Sequence, residues 1–239
     1  MISAAFNTLV YEPLYNGLVF FVDIIPSHDV GLAVIALTLI VRFILFPLSR
    51  RAIETQIKMK KIAPEVEALK EKFKDKKEEQ GRAILTLYRE RGVRPFASFA
   101  LLLVQLPILI GLYWVFSHGG LPEVNAALLY SFVPIPGSIE MVFLGIIAMD
   151  GHSILLAVLA GVTQFVYTRL STGKRTLVAQ PAGASFSADM ARSFDLQVRY
   201  ILPVMVGVIS YYVVAAAPLY WATSNLFMIG QEYLMGRRF

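Results

Sequence analysis

The chain contains no cysteine, which excludes disulfides, cysteine-bound metal and a lipid-modified N-terminal cysteine and leaves the redox compartment open. Histidine is scarce: His28, His118 and His152 fall in or beside connecting segments and form no HExxH pattern, so a zinc-hydrolase ligand set is missing. Neither a phosphate-binding glycine loop nor a dinucleotide fingerprint occurs. An intramembrane serine protease needs a base near its serine, yet no His, Lys, Asp or Glu lies deep in an apolar run, apart from Glu232 near the edge of one. An enzyme is therefore not expected, and neither is a cofactor or a metal.

Also short is the supply of polar faces. Of the 239 residues, 56% are hydrophobic and mean hydropathy is +0.62, against roughly 45–50% apolar in an ordinary soluble domain. Apolar runs of bilayer-crossing length fall at about 30–49, 98–117, 152–170, 199–215 and 218–235. A soluble helical core would need polar faces at period 3.6, and "FASFALLLVQLPILIGLYWVF" (96–116) has almost none. The expected fold is all-α, a polytopic membrane protein of five transmembrane helices. "MISAAFNTLVYEPLYNGLVFF" lacks the basic start of a secretory signal and reads as part of the mature protein. Asn7, Glu12, Pro13, Asn16 and Asp23 interrupt residues 6–25, which suits a helix lying in the outer interface better than one that spans.

Basic residues are absent from whole segments. Residues 1–29, 118–151 and 216–217 hold no lysine or arginine, whereas 50–94 holds 14, 169–199 five and the terminal "GRRF" two; with Arg42 these are all 22. The positive-inside rule makes the basic side cytoplasmic. The expected order is an outer interfacial segment 1–29, span one 30–49, a cytoplasmic helical hairpin 50–97, span two 98–117, an outer loop 118–151, span three 152–170, a cytoplasmic loop 171–198, span four 199–215, span five 218–235 and a cytoplasmic tail 236–239. The N-terminus is then outside and the C-terminus inside. Direct sequence-specific nucleic-acid binding is not expected: the basic segment offers only Phe73 and Tyr88 for stacking.

Within that segment, Ile62, Val66, Leu69 and Phe73 recur at steps of four, three and four, a coiled-coil seam. The turn "KDKKEEQG" leads to a second seam with Ile84, Leu87, Tyr88 and Arg91, which Gly92 and Pro95 stop. An antiparallel hairpin with a short seam follows, expected to be mobile. Its 14 basic and eight acidic residues over 50–94 make a solvated face the simplest reading. The small, polar stretch 171–197 is expected to be poorly ordered.

The unusual residue is Arg42, inside "ALTLIVRFILFPLSRR". Its cost of about 2.5–3.5 kcal/mol at a helix centre is met by 13 Leu, Ile, Phe and Val residues returning about 0.3–0.6 each, so the span inserts. At about 100° per residue, Thr38, Arg42 and Ser49 lie at about 0°, 40° and 20°, one polar stripe. Gln105, Gln164, Asn225 and Gln231 fall at similar depth in the cytoplasmic half of their spans. Two readings remain open: a water-filled cavity open to the cytoplasm, or an arginine snorkelling to the headgroups with each amide hydrogen-bonded to a neighbouring helix.

The stretches "GLAVIALTLIVRFILFPLS", "IAPEVEALKEKFKDK", "LYRERGVRPF", "VQLPILIGLYWVF", "LAGVTQFVYTRLS" and "PLYWATSNLFMIGQEYL", in this order, resemble the YidC / mitochondrial oxidase-assembly / thylakoid Albino family of membrane protein insertases over nearly the whole chain, in its minimal bacterial form. The resemblance implies a five-helix core in the bacterial inner membrane, with a hydrophilic groove open to the cytoplasm and the inner leaflet. It implies that Arg42 sits in that groove and that Gln105, Trp221 and Asn225 line or flank it; with Thr38, Gln164 and Gln231 these are the candidate site residues. Implied partners are nascent membrane proteins and the lipid bilayer, with the ribosome, the signal-recognition machinery and the Sec translocon as further candidates. The segment "RPFASFALLL" departs from the Asn-Pro and glycines usual in relatives, and "GRRF" is shorter than the basic tail of some. A small transporter or channel is the alternative, against which stands the lack of an inverted repeat.

Overall fold

The structure is a computed structural model that describes residues 2–93, 97–117, 121–173 and 196–238. The chain divides into two compact units, residues 1–43 with 107–239, and residues 44–106. The described part is almost wholly helical. Most of the expected cytoplasmic loop 171–198, the "RPF" that departs from relatives, and His118 lie outside the described residues.

In the first unit the N-terminal helix runs as α1 (Ile2–Phe6), a π-helical turn (Asn7–Tyr11) and α2 (Glu12–Ile24). Pro13 sits in the first turn of α2, where its missing N–H is not needed. Leu14, Tyr15, Leu18, Val19 and Val22 are buried. The helix packs on α6 (Ala97–Ser117), where Gly111 leaves room: a Cβ there would stand 2.9 Å from Leu14 Cδ1. The rings of Phe6 and Trp114 meet edge to face at 5.1 Å.

α3 (Val30–Ile44) buries Ala33, Val34, Leu37, Thr38 and Arg42 and exposes Leu39, Ile40, Phe43 and Ile44. It ends sooner than hydropathy suggests. Pro47, in the first turn of the next helix, has no N–H for the carbonyl of Phe43 and its ring crowds that carbonyl. The apolar run 30–49 is thus divided near Leu45, and Ser49 lies on another helix. The angular sum that joined Ser49 to Thr38 and Arg42 does not carry across the break.

The connection that follows α6 holds a two-stranded antiparallel hairpin, β1 (Val142–Phe143) and β2 (Ile147–Ala148). It leads to α7 (Ile154–Thr172), whose N-cap Ser153 accepts a hydrogen bond from Leu156 N–H. A π-turn (Gln197–Ile201), α8 (Leu202–Tyr212) and α9 (Ala216–Leu234) follow. α7 packs on both α8 and α9. Gly161 and Gly207 let α7 and α8 touch, since a Cβ on Gly161 would lie 3.3 Å from Gly207 Cα and from the Pro203 carbonyl. Between them runs an apolar cleft of about 670 Å³ lined by Ala157, Val158, Phe165, Tyr200, Val204 and Tyr211, among others.

The second unit contains α4 (Phe46–Lys72) and α5 (Lys77–Glu90). Gln80 Nε2 donates to the Lys70 carbonyl and Arg91 pairs with Glu65 at 2.7 Å, which makes the two helices antiparallel. The expected seam is where they meet: Ile62 and Leu87 are buried, and Val66, Leu69, Phe73, Ile84 and Tyr88 are half-buried. Gly92, at φ +59°, ends α5 in a Schellman turn: Val93 N–H reaches the Tyr88 carbonyl and Gly92 N–H that of Arg89.

One helix among the described residues, α7, is long and apolar enough to cross a membrane by itself; α3 and α4 count as a second if they form one broken span. The five expected spans are not all recovered by length and composition. α3 has 15 residues and α8 11, short of the roughly 20 a bilayer needs. α9 is long enough with 19, but it carries Ser224, Asn225, Gln231 and Glu232.

Candidate functional site

The polar residues of the first unit point inward. Thr38 Oγ1 donates to the Val34 carbonyl one turn back at 2.6 Å, a bond that satisfies the hydroxyl within its own helix. Arg42 follows one turn later on the same face, only 7% exposed. No hydrogen bond or ion pair joins its guanidinium to another described residue. The lipid-type side chains of α3, Ile40, Phe43 and Ile44, occupy the opposite face. Arg42 is therefore turned into the protein rather than out along the helix surface.

Among the described residues, α7 and α9 share polar contacts at Gln164 and at Asn225. Gln164 Oε1 accepts from Trp221 Nε1 at 3.1 Å while its Nε2 donates to Thr168 Oγ1 at 3.1 Å. Asn225 Nδ2 donates to Thr163 Oγ1 at 3.3 Å. Gln164, Asn225 and Gln231 are all buried. Three expected site residues, Gln164, Trp221 and Asn225, are thus brought together, but as hydrogen-bonded links between two helices. Gln105 lies in the second unit, half-buried on α6.

The structure joins two residues that the sequence leaves apart. Glu232 is fully buried, with no exposed surface, and Arg237 nearly so; Nη1 of Arg237 lies 3.2 Å from Glu232 Oε1. The geometry follows from the end of α9. Gly236 at φ +81° allows a Schellman turn in which Arg237 N–H bonds to the Glu232 carbonyl and Gly236 N–H to that of Tyr233. That fold-back sets the Arg237 side chain over the Glu232 carboxylate. The same Nη1 donates to the Ser171 carbonyl at 2.6 Å, tying the end of α9 to the end of α7. Tyr167, half-buried on α7, hydrogen-bonds Ser171 and lies within electrostatic reach of Glu232, Arg42 and Arg237. A Glu five residues before an Arg at a Gly-ended helix is a signal that could have marked the pair.

Arg42, Tyr167, Glu232 and Arg237 form one charged neighbourhood near the ends of α3, α7 and α9. Three or more His, Asp or Glu side chains placed to hold a metal ion do not occur among the described residues. The neighbourhood can attract an anionic or carbonyl-rich group.

Apolar outer faces around an inward polar row define a helical membrane protein. The chain belongs to the 60Kd inner membrane protein family, whose model matches residues 20–239. A Clostridium tetani protein named membrane protein insertase YidC is 32% identical over 209 residues, 87% of this chain and 82% of that protein. A protein of the same name from Oceanobacillus iheyensis is 26% identical over 97% of this chain and 83% of its own length. One from Haemophilus ducreyi is 28% identical over 95% of this chain but only 37% of its own length, so the chain spans little more than a third of that larger relative.

Proposed function

We infer that this chain is a membrane protein insertase of a bacterial inner membrane, which moves newly made membrane proteins into the bilayer without covalent chemistry. The observation that carries the reading is Arg42: a permanent cation, buried on the inner face of an otherwise apolar helix, in a chain that belongs to this family. We place it in a hydrated groove that opens to the cytoplasm and the inner leaflet. The five-span arrangement with N-terminus outside and C-terminus inside is part of the proposal, supported by the one-sided lysines and arginines.

A polar tail crossing hydrocarbon leaves backbone groups unsatisfied at several kcal/mol each. A groove reaching part of the way shortens that path. Arg42 attracts acidic side chains or carbonyls of the tail, and the membrane potential favours outward motion of an acidic tail by about 2.3 kcal/mol per charge per 100 mV. Thr38, buried one turn away, extends the polar face. Gln164, Trp221 and Asn225 hold α7 against α9, so their share in the groove is to shape its wall. Gln105 and Gln231 remain candidates for lining it. The α4–α5 pair is the surface we assign to cytoplasmic partners, among them the ribosome, the signal-recognition machinery and the Sec translocon.

Crosslinking a stalled nascent membrane protein to probes placed at 42, 105 and 225 tests the reading. Crosslinks at 42 that move with the position of the nascent segment are expected. Their absence, with transport of a small solute by reconstituted protein, would point to a transporter instead.

A further inference from the structure

The outer hairpin carries an uncharged apolar tip that none of the proposed insertion chemistry uses. Residues 141–149 read "MVFLGIIAM", nine residues without a charge, bracketed by Glu140 and Asp150. Leu144 is 62% exposed and Ile146 79% exposed. Such side chains at a loop tip would ordinarily turn inward, since exposing them to water is unfavourable.

The tip is held out by specific contacts. Asp29, itself buried, uses Oδ1 to cap α3 at Leu32 N–H (3.0 Å) and Oδ2 to accept from Leu144 N–H (2.8 Å). Val30 N–H reaches the Glu140 carbonyl and Glu140 N–H the His28 carbonyl, so the hairpin base is paired with the same entry segment. Gly31 leaves space for the Phe143 ring, which a Cβ there would run into. Leu144 stands at φ +51°, a left-handed conformation rare for a bulky residue, and the Asp29 bond to its N–H helps to hold it there. Four features thus converge on presenting Leu144 and Ile146 outward.

We propose that the hairpin tip, Leu144 with Ile146, is an outer-leaflet anchor that inserts among the lipid acyl chains beside the outer end of α3. Depth selects the occupant. The Leu144 N–H lies one hydrogen bond from Asp29, the residue that caps α3, so the tip sits where that helix enters the bilayer. Charge agrees with this, because the charged residues of the hairpin stand at its base. The depth rests on α3 entering the membrane at Val30, as proposed above; the anchor itself is independent of the groove.

The absence of native cysteine makes single labels clean. Full-length Ile146→Cys, Ile40→Cys and Glu78→Cys variants carry an environment-sensitive fluorophore in nanodiscs of phosphatidylethanolamine and phosphatidylglycerol, one copy per disc. The label at 146 should emit to the blue of that at 78, be quenched by spin-labelled lipid, and be several-fold less accessible to iodide. Asp29→Asn keeps a side-chain oxygen for the α3 cap but sets an NH₂ against Leu144 N–H, so in that background the label at 146 should lose part of its lipid quenching. Free iodide quenching at 146 with lipid quenching intact at 40 overturns the anchor alone. Loss of lipid quenching at both positions overturns the span reading and the anchor with it. Protection at 146 only when two copies share a disc would assign the tip to a second copy and overturn the proposal.

Discussion

Arg42 and the buried amides separate two kinds of polar residue in an apolar chain. A side chain that links helices should matter to stability, and one that meets a substrate should matter to transfer. Gln164→Leu removes the bonds to Trp221 and Thr168. Loss of the interhelical bond to Trp221 should cost about 0.6 kcal/mol and at most about 1.7, with insertion little changed; thermal unfolding in detergent and an insertion assay read the two separately. Arg42→Ala should do the reverse, impairing insertion of single-span substrates with acidic N-terminal tails. Arg42→Lys should be milder, because it keeps the charge and loses only the planar fork. Normal insertion by the alanine variant in a depletion strain would remove the electrostatic role. That Arg42 and Thr38 share one face of α3 was legible from helical angles, but those angles leave the direction of that face open between a cavity and a snorkelling arginine. The partners of Gln164 and Asn225 were not legible, because they depend on the register between α7 and α9, which no single helix encodes.

Elements end where backbone chemistry dictates, and this is where hydropathy misleads. A sliding window sees "FILFPLS" as apolar and carries the first span to residue 49; the missing N–H of Pro47 closes α3 at Ile44. The α4–α5 seam was legible because heptad spacing and helix packing are the same regularity read twice. The Glu232–Arg237 pair was not, since a sequence places Arg237 in a tail while the turn at Gly236 folds it back. That turn makes a specific prediction for the α7–α9 pair of helices. Arg237→Ala leaves Glu232 buried without its arginine, a loss of the kind that costs about 3–5 kcal/mol, and removes the bond to Ser171. Glu232→Gln in the same background should restore part of the lost thermal stability by removing the buried charge. Equal stability of the single variant and the wild type would show that the pair is inconsequential to the packing of α7 and α9.

For the whole molecule the decisive asymmetry is electrostatic. Fourteen lysines and arginines lie in 50–94 and none in 118–151, and the K/R bias over short loops sets orientation. The connection of residues 121–153 is well anchored within its own unit: Asn16 accepts from Tyr130 N–H and donates to the Leu128 carbonyl, Tyr15 Oη accepts from Asn125 N–H, and Ala215 and Ala216 N–H reach the Gly151 and Met149 carbonyls. Those bonds gather α2, α9 and the loop at one end, while the charged neighbourhood of Arg42, Glu232 and Arg237 lies towards the other ends of α3 and α9. The consequence is a topology that can be read directly. In intact spheroplasts a membrane-impermeant thiol reagent should label Glu123→Cys, and should label Glu78→Cys only after the membrane is permeabilised. Labelling of both positions in intact spheroplasts would place loop and hairpin on the same side and defeat the one-sided reading, whatever the insertion assays report.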